Sequence, residues 1–279
     1  MYESYYGLRE KPFSILPDPD LIYWGQGHRL AFAMLEFGVL NNAGFTVITG
    51  EIGSGKTTLI RHLLRKIDQA TINVGLISNT PRGRQELLQW ILMSLDQPFE
   101  GSPPALLKQF HTFIEAQSAS GKRTILIVDE AQNLGDETLE ALRMLSNINV
   151  DKQQSLQLIL IGQPQLRDVL CSPQLLQFAQ RVASDFHLQA LAPAEIREYV
   201  DFRLRAVGCR SSLFSGDATE MIGRASGGIP RLINILCDTA MVYGFASGAG
   251  QITGDIVNAV VQDKRKFGIF PNMIKAVEC

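Results

Sequence analysis

Residues 50–57, Gly50-Glu51-Ile52-Gly53-Ser54-Gly55-Lys56-Thr57, have the spacing G-x-x-x-x-G-K-[ST], and Thr58 follows. Glycines at these positions let a loop turn its backbone N–H groups inward around phosphate oxygens. A helix that starts near Lys56 adds the positive end of its dipole. Lys56 then reaches the β- and γ-phosphates of a nucleotide, and the Thr57 hydroxyl can ligate Mg2+. The alternative is a chance glycine turn. It does not account for the apolar run "FTVIT" (45–49) before the loop or the helical pattern "KTTLIRHLLRK" (56–66) after it.

A second group is "TILIVDEAQ" (124–132), where an apolar run delivers Asp129 and Glu130 to the C-terminal end of a strand. Parallel sheets bind their ligands at that edge. Asp129 can hold Mg2+ through its water shell, and Glu130 can orient and polarise an attacking water. The plain alternative for Glu130 is a favourable charge at a helix start. Three more polar residues stand where a γ-phosphate could be sensed. Gln163 follows "LILIG" and can hold the water or the γ-phosphate, or it is a turn residue before Pro164. Arg181 follows "QLLQFAQ". It can stabilise transferring phosphoryl charge in a neighbouring subunit, or simply complement a helix C-terminus. Arg231 opens a helix after "GGIP", where a cation opposes the macrodipole, so it faces either a nucleotide or solvent.

The elements that must position these residues alternate. Strands are expected at 45–49, 72–78, 124–128, 156–161 and 184–190, and helices at 56–66, 83–95, 105–117 and 136–148. Apolar strands alternating with amphipathic helices predict an α/β fold with a five-stranded parallel sheet covered on both faces. Before it, residues 1–27 read as an ordered, non-repetitive arm, followed by a helix with Leu30, Met34 and Phe37 on one face. From Pro193 only helical periodicity remains, in four glycine-separated segments that predict a small all-α domain. The expected organisation is an arm and first helix at 1–44 attached to the core, a phosphate-loop domain at 45–191, a helical domain at 192–267 and a tail at 268–279.

Bulk composition narrows the function classes. The 279 residues carry a formal net charge of −2, which gives no global basic field for nucleic acid. Cys171, Cys209, Cys237 and Cys279 are far apart with no C-x-x-C pair, so zinc-site spacing is absent and a disulfide framework is not expected. The opening "MYESYYGLRE" lacks the basic and apolar regions of a signal peptide, and the longest apolar runs are strand-sized. A cytoplasmic chain without a membrane span is expected.

Together these residues resemble the AAA+ ATPases, from the arm to the "GGIPR" of a helical lid. More narrowly, the sequence is similar to the ExeA/GspA-type secretion ATPases and their MshM-like pilus-biogenesis relatives. The segments carrying that match are "YYGLREKPFSILPDPDLIYW" with His28, "GEIGSGKTT", "VDEAQNL", "IGQPQLRDVL" and "ASGGIPRLINILCDTA". The resemblance implies a P-loop AAA+ core with an all-α lid, ATP and Mg2+ as ligands, and a nucleotide-dependent homo-oligomer with a hexamer as the candidate number. It implies that Arg181 is an arginine finger, Gln163 sensor 1 and Arg231 sensor 2, beside Pro230. It also implies that Pro12 and Phe13 lie near the adenine. The partners implied are cell-envelope proteins of a secretion, pilus or exopolysaccharide apparatus, reached from the cytoplasmic side of the inner membrane through a partner. Longer members continue into a membrane helix and a peptidoglycan-binding domain that these 279 residues do not include, so a shorter member or a fragment is expected.

A second function class stays open, a DNA-binding AAA+ regulator of the transposition target-selection type. "NTPRGRQ" (79–85) offers Arg82 and Arg84 for it, and "DKRK" (263–266) adds basic residues. Both segments also read as solvated turns and helix ends. A scaffold that binds ATP without turnover is disfavoured by the intact Asp129-Glu130 pair.

Overall fold

The computed structural model describes residues 1–78, 81, 83–150, 153–209 and 211–268. Arg82 and the tail after Gly268 lie outside the described residues. The chain opens with α1 (Tyr2–Tyr5) and, after a 3-10 turn at Pro19–Leu21, α2 (Gln26–Leu40). Then come β1 (Phe45–Gly50), α3 (Lys56–Lys66), β2 (Ile72–Ile77), α4 (Arg84–Ser94), α5 (Pro103–Ala119), β3 (Arg123–Val128) and α6 (Asp136–Leu145). A small antiparallel pair, β4 (Asn149–Val150) and β5 (Gln153–Gln154), precedes β6 (Leu156–Gly162), α7 (Gln165–Leu170), α8 (Leu176–Ala179) and β7 (Val182–Leu188). The remainder is helical: α9 (Pro193–Ala206), α10 (Gly216–Ser226), α11 (Pro230–Ala246) and α12 (Gly254–Phe267).

The chain divides into two compact units. The sheet unit holds Leu30–Gly50 and Ile60–Leu188. The helical unit holds Met1–Arg29 and Glu51–Leu59 with the chain from Gln189 onward. The arm therefore groups with the C-terminal helices, whereas the sequence pattern attaches residues 1–44 to the core. The cause is non-local: buried Arg203 of α9 donates from Nε to the Pro12 carbonyl at 2.7 Å, and Asn234 of α11 donates to the Ser14 carbonyl at 3.0 Å.

In the sheet unit the five strands run parallel in the order β2-β3-β6-β1-β7. The three inner strands are buried along almost their whole length, and β2 and β7 at the edges are only partly so. This follows from composition, because strands covered on both faces need mostly apolar runs such as "LILI" (158–161). Val47 pairs with Leu160 of β6, and Val128 of β3 pairs with the same residue from the other side. Hence β1, β6 and β3 reach one C-terminal edge together.

The face of α2 differs from expectation. Ala31, Phe32, Leu35 and Val39 are buried, while Leu30 and Phe37 are 51% and 54% exposed. Apolar residues occur on both candidate faces, so periodicity alone does not choose between them. Close approach does: a Cβ on Gly38 would stand 2.4 Å from the Thr46 Oγ1. Helix α2 therefore lies against β1 at Gly38.

The helical unit has its own core, in which Leu204, Ile222, Leu236, Met241 and Val257 are essentially buried. Ser215 caps α10 by accepting from the Ala218 N–H, and Gly227 ends that helix in a left-handed conformation. Gly228, at φ +78, follows directly. A Cβ there would lie 2.2 Å from the Leu191 carbonyl oxygen, and Leu191 N–H donates to the Gly228 carbonyl at 2.9 Å. Gly228→Ala should therefore destabilise the unit by about 2–4 kcal/mol, from positive-φ strain plus a backbone clash. Thermal denaturation followed by circular dichroism reads this as a lower midpoint. An unchanged midpoint would show that the close approach is dispensable.

Candidate functional site

The phosphate-type loop begins at Gly50, the last residue of β1, and ends where α3 opens at Lys56. Ser54 N–H closes a turn onto the Glu51 carbonyl at 3.1 Å. Gly53 and Gly55 have φ of +80 and +104, values that side-chain-bearing residues rarely adopt. Both are also closely approached: a Cβ on Gly53 would meet the Arg231 Cβ at 2.4 Å, and one on Gly55 would meet the His28 Nε2 at 2.9 Å. Lys56 is 6% exposed, and its Nζ donates to the Glu51 carbonyl at 2.9 Å, so the ammonium folds back across the loop. Glu51 and Ile52 are exposed, and Thr57 and Thr58 are half-buried. The Ser54 hydroxyl is buried with no hydrogen-bond partner among the described residues. A glycine turn at the positive end of a helix, with a lysine folded over it, fits a polyphosphate.

The rest of the helical unit supplies Arg231, Pro230 and the arm. Pro230 occupies the first turn of α11, where its missing N–H costs nothing. The Arg231 N–H donates to the Gly53 carbonyl at 3.2 Å, and its exposed guanidinium has no hydrogen-bond or ion-pair partner among the described residues. The macrodipole misfit noticed in the sequence is thus seated on the loop itself. Pro12 is buried. Phe13 is 2% exposed, with its ring edge-on to Phe214 at 5.9 Å between centroids. The Phe13 ring is therefore an anchor of the arm within the helical core.

On the sheet unit, Asp129 and Glu130 follow the last residue of β3, and Gln163 follows the last residue of β6. The Asp129 N–H extends the ladder to the Ile77 carbonyl at 2.9 Å, while its Oδ1 accepts the Glu130 N–H at 2.9 Å. Glu130 has φ 54 and ψ 36, a left-handed conformation that costs a non-glycine residue energy and recurs at functional sites. Its Oε2 accepts from the Gln132 Nε2 at 2.6 Å and from the Gln163 Nε2 at 3.2 Å. The Gln132 Oε1 in turn accepts the Gln163 N–H at 2.9 Å. Two amides therefore tie the carboxylate at the end of β3 to the end of β6. Gly162 is needed for this, because a Cβ there would stand 2.9 Å from the Gln132 Oε1. The sequence pattern gives Gln132 no role, although it lies in the quoted "VDEAQ". The hydroxyl of Thr57 and the carboxylate of Asp129 are hard oxygen donors, which suit Mg2+ in chemistry.

Arg181 lies beyond α8 and is exposed. Its Nη1 donates to the Ser146 Oγ at 3.2 Å and to the Asn147 Oδ1, just past the C-terminus of α6. Nearby, Arg143 holds Glu140 through two 2.9 Å bonds, which lowers the Glu140 carboxyl below its usual range, with Arg181 contributing. The helix end that Arg181 complements is thus that of α6.

Residues 40–170 match the model of a family described as "AAA domain". The chain is 40% identical over 259 residues to General secretion pathway protein A of Aeromonas hydrophila, which covers 92% of this chain and 47% of that protein. It therefore spans about half the length of that curated relative. Among solved structures, Cdc6p from Pyrobaculum aerophilum matches with a TM-score of 0.70 at 18% identity, over 90% of this chain and 72% of that one. The ORC2 protein of Aeropyrum pernix, in ADPNP-ADP complexes, matches with a TM-score of 0.64 at 16% identity, over 96% and 73%. The Walker-type ATPase of Pyrococcus abyssi gives 0.63 at 18% identity, over 91% and 76%. These structural likenesses show the fold: a P-loop AAA-type sheet with its associated helices.

Proposed function

Because the chain belongs to the AAA+ ATPases of the ExeA/GspA type, we propose that it binds ATP with Mg2+ and hydrolyses it. In this reading residues 50–58 cradle the phosphates, with Lys56 on the β- and γ-oxygens. Thr57 and Asp129 hold Mg2+, which when bound draws charge from the phosphate oxygens. Glu130 orients the attacking water, and Gln163 and Arg231 sense the γ-phosphate. The Pro12-Phe13 segment of the arm borders the base, with Phe13 acting through its backbone and its anchored ring. The regions 45–191 and 192–267 then serve as ATPase core and lid.

One observation carries the reading. Strand β6 pairs with both β1 and β3, so the strand that leads into the loop and the strand that leads into Asp129-Glu130 share one sheet edge, with Gln163 between them. Phosphate release from ATP by the purified chain, dependent on Mg2+, tests it. Release should be measurable, and it should stop on chelation. Absence of release under conditions that favour self-association would contradict it.

The secretion role is taken from the name of the Aeromonas relative. We infer that the chain acts as a nucleotide-dependent homo-oligomer, assisting assembly or positioning of a cell-envelope apparatus through protein partners. Among the described residues no helix is long and apolar enough to cross a membrane. Attachment at the inner membrane would therefore run through a partner for the residues described.

A further inference from the structure

His28 is the third residue of α2 and is only 7% exposed. Its Nε2 lies 3.0 Å from the Ser54 carbonyl oxygen. A carbonyl oxygen can only accept, so Nε2 carries the proton and Nδ1 carries the lone pair. That Nδ1 is buried with no partner among the described residues, an unmet cost that one hydrogen bond to the loop must outweigh. Burial also lowers the pKa of the ring, which favours its neutral form.

The bond has a consequence for the loop. In a trans peptide the C=O and the following N–H point in opposite directions. Holding the Ser54 carbonyl toward His28 therefore turns the Gly55 N–H away from it. At φ +104 Gly55 has no side chain to fix that peptide plane, and no room for one beside His28. His28 is itself held. The Gln26 N–H that starts α2 donates to the Glu195 Oε1 at 2.8 Å, while the Glu195 Oε2 accepts the Ala192 N–H at 2.9 Å at the start of α9. All these residues belong to the helical unit.

We propose that His28 is a positioning residue for nucleotide binding: its Nε2–H holds the Ser54 carbonyl so that the Gly55 amide faces the phosphate, and the ring touches no part of the nucleotide. The proposal rests on the loop being the ATP site. Only the loop peptide is affected, so ADP and ATP should suffer alike.

Calorimetric titration of ADP, and of ATP with Mg2+, into the full chain tests it. His28→Phe keeps the volume and removes the donor, and should weaken both nucleotides about 10-fold. His28→Gln can place an amide N–H near the same point, and should bind within about 3-fold of wild type by the same reasoning. Wild-type affinity in His28→Phe, or an equal loss in both variants, would overturn the proposal. Lys56→Ala separates the premises: if it loses binding while His28→Phe does not, only the His28 role fails. If Lys56→Ala binds normally, the nucleotide reading fails and the His28 role with it. Should His28→Phe not fold, 15N spectra of the wild-type ring decide. An Nε2–H tautomer whose signal shifts on adding ADP is expected, and an Nδ1–H tautomer or an unresponsive ring would overturn the proposal.

Discussion

Glu130→Gln is expected to retain nucleotide affinity while lowering ATP hydrolysis by about 10²–10⁴-fold, the usual contribution of a positioned acid–base group. The substitution changes one oxygen to an amide and leaves the loop at 50–58 untouched. The fold at the end of β3 should survive it, because the remaining carbonyl oxygen can still accept from Gln132 or Gln163, which now donate to the carboxylate at 2.6 and 3.2 Å. What is lost is the negative charge that polarises a water. In the arrangement seen here that charge is already engaged by two amides, so a water must compete with them for it. Phosphate-release kinetics and an ADP titration check the prediction together. Unchanged turnover would remove Glu130 from the reaction. Loss of binding as well as turnover would show that the carboxylate is structural.

Arg181→Ala should lower turnover by about 10³-fold, within the range seen for arginines supplied to a neighbouring site, with little effect on stability. The guanidinium is exposed and, among the described residues, bonds to Ser146 and Asn147 just past α6, contacts worth little at a wet surface. If the arginine serves a neighbouring subunit, mixing Arg181→Ala with Glu130→Gln should restore part of the activity, because some junctions then pair an intact Glu130 with an intact Arg181. No rescue at any mixing ratio would leave Arg181 as the cation that complements the C-terminus of α6.

These effects explain which parts of the molecule the sequence could disclose. Strands β1, β3 and β6 were legible because burial on both faces demands mostly apolar runs. The boundaries of α3 were legible because a glycine loop precedes it and Arg65-Lys66 close it. The core face of α2 was not, since both of its faces carry apolar residues and the choice is made by the approach of Gly38 to Thr46, a tertiary fact. Gln132 stood in the quoted motif without a role, because its work depends on β3 lying beside β6. The edge-on packing of Phe13 against Phe214, about two hundred residues away in the chain, is likewise a contact that only folding discloses. His28 belonged to the resembling segments, yet only folding brings it against Ser54. Local motifs thus named the groups of the candidate site, and non-local packing named what holds them.

Every role assigned above depends on nucleotide binding at residues 50–58. Titrating ATP with Mg2+ into the wild-type chain and into Lys56→Ala tests this most directly. Lys56 lies over the loop with its Nζ on the Glu51 carbonyl, and removing it takes away the charge that would meet the β- and γ-phosphates. Saturable binding by wild type, weakened about 100-fold or more in the variant, is the expected result. Equal affinities in the two proteins would contradict the assignment of this loop as the ATP site.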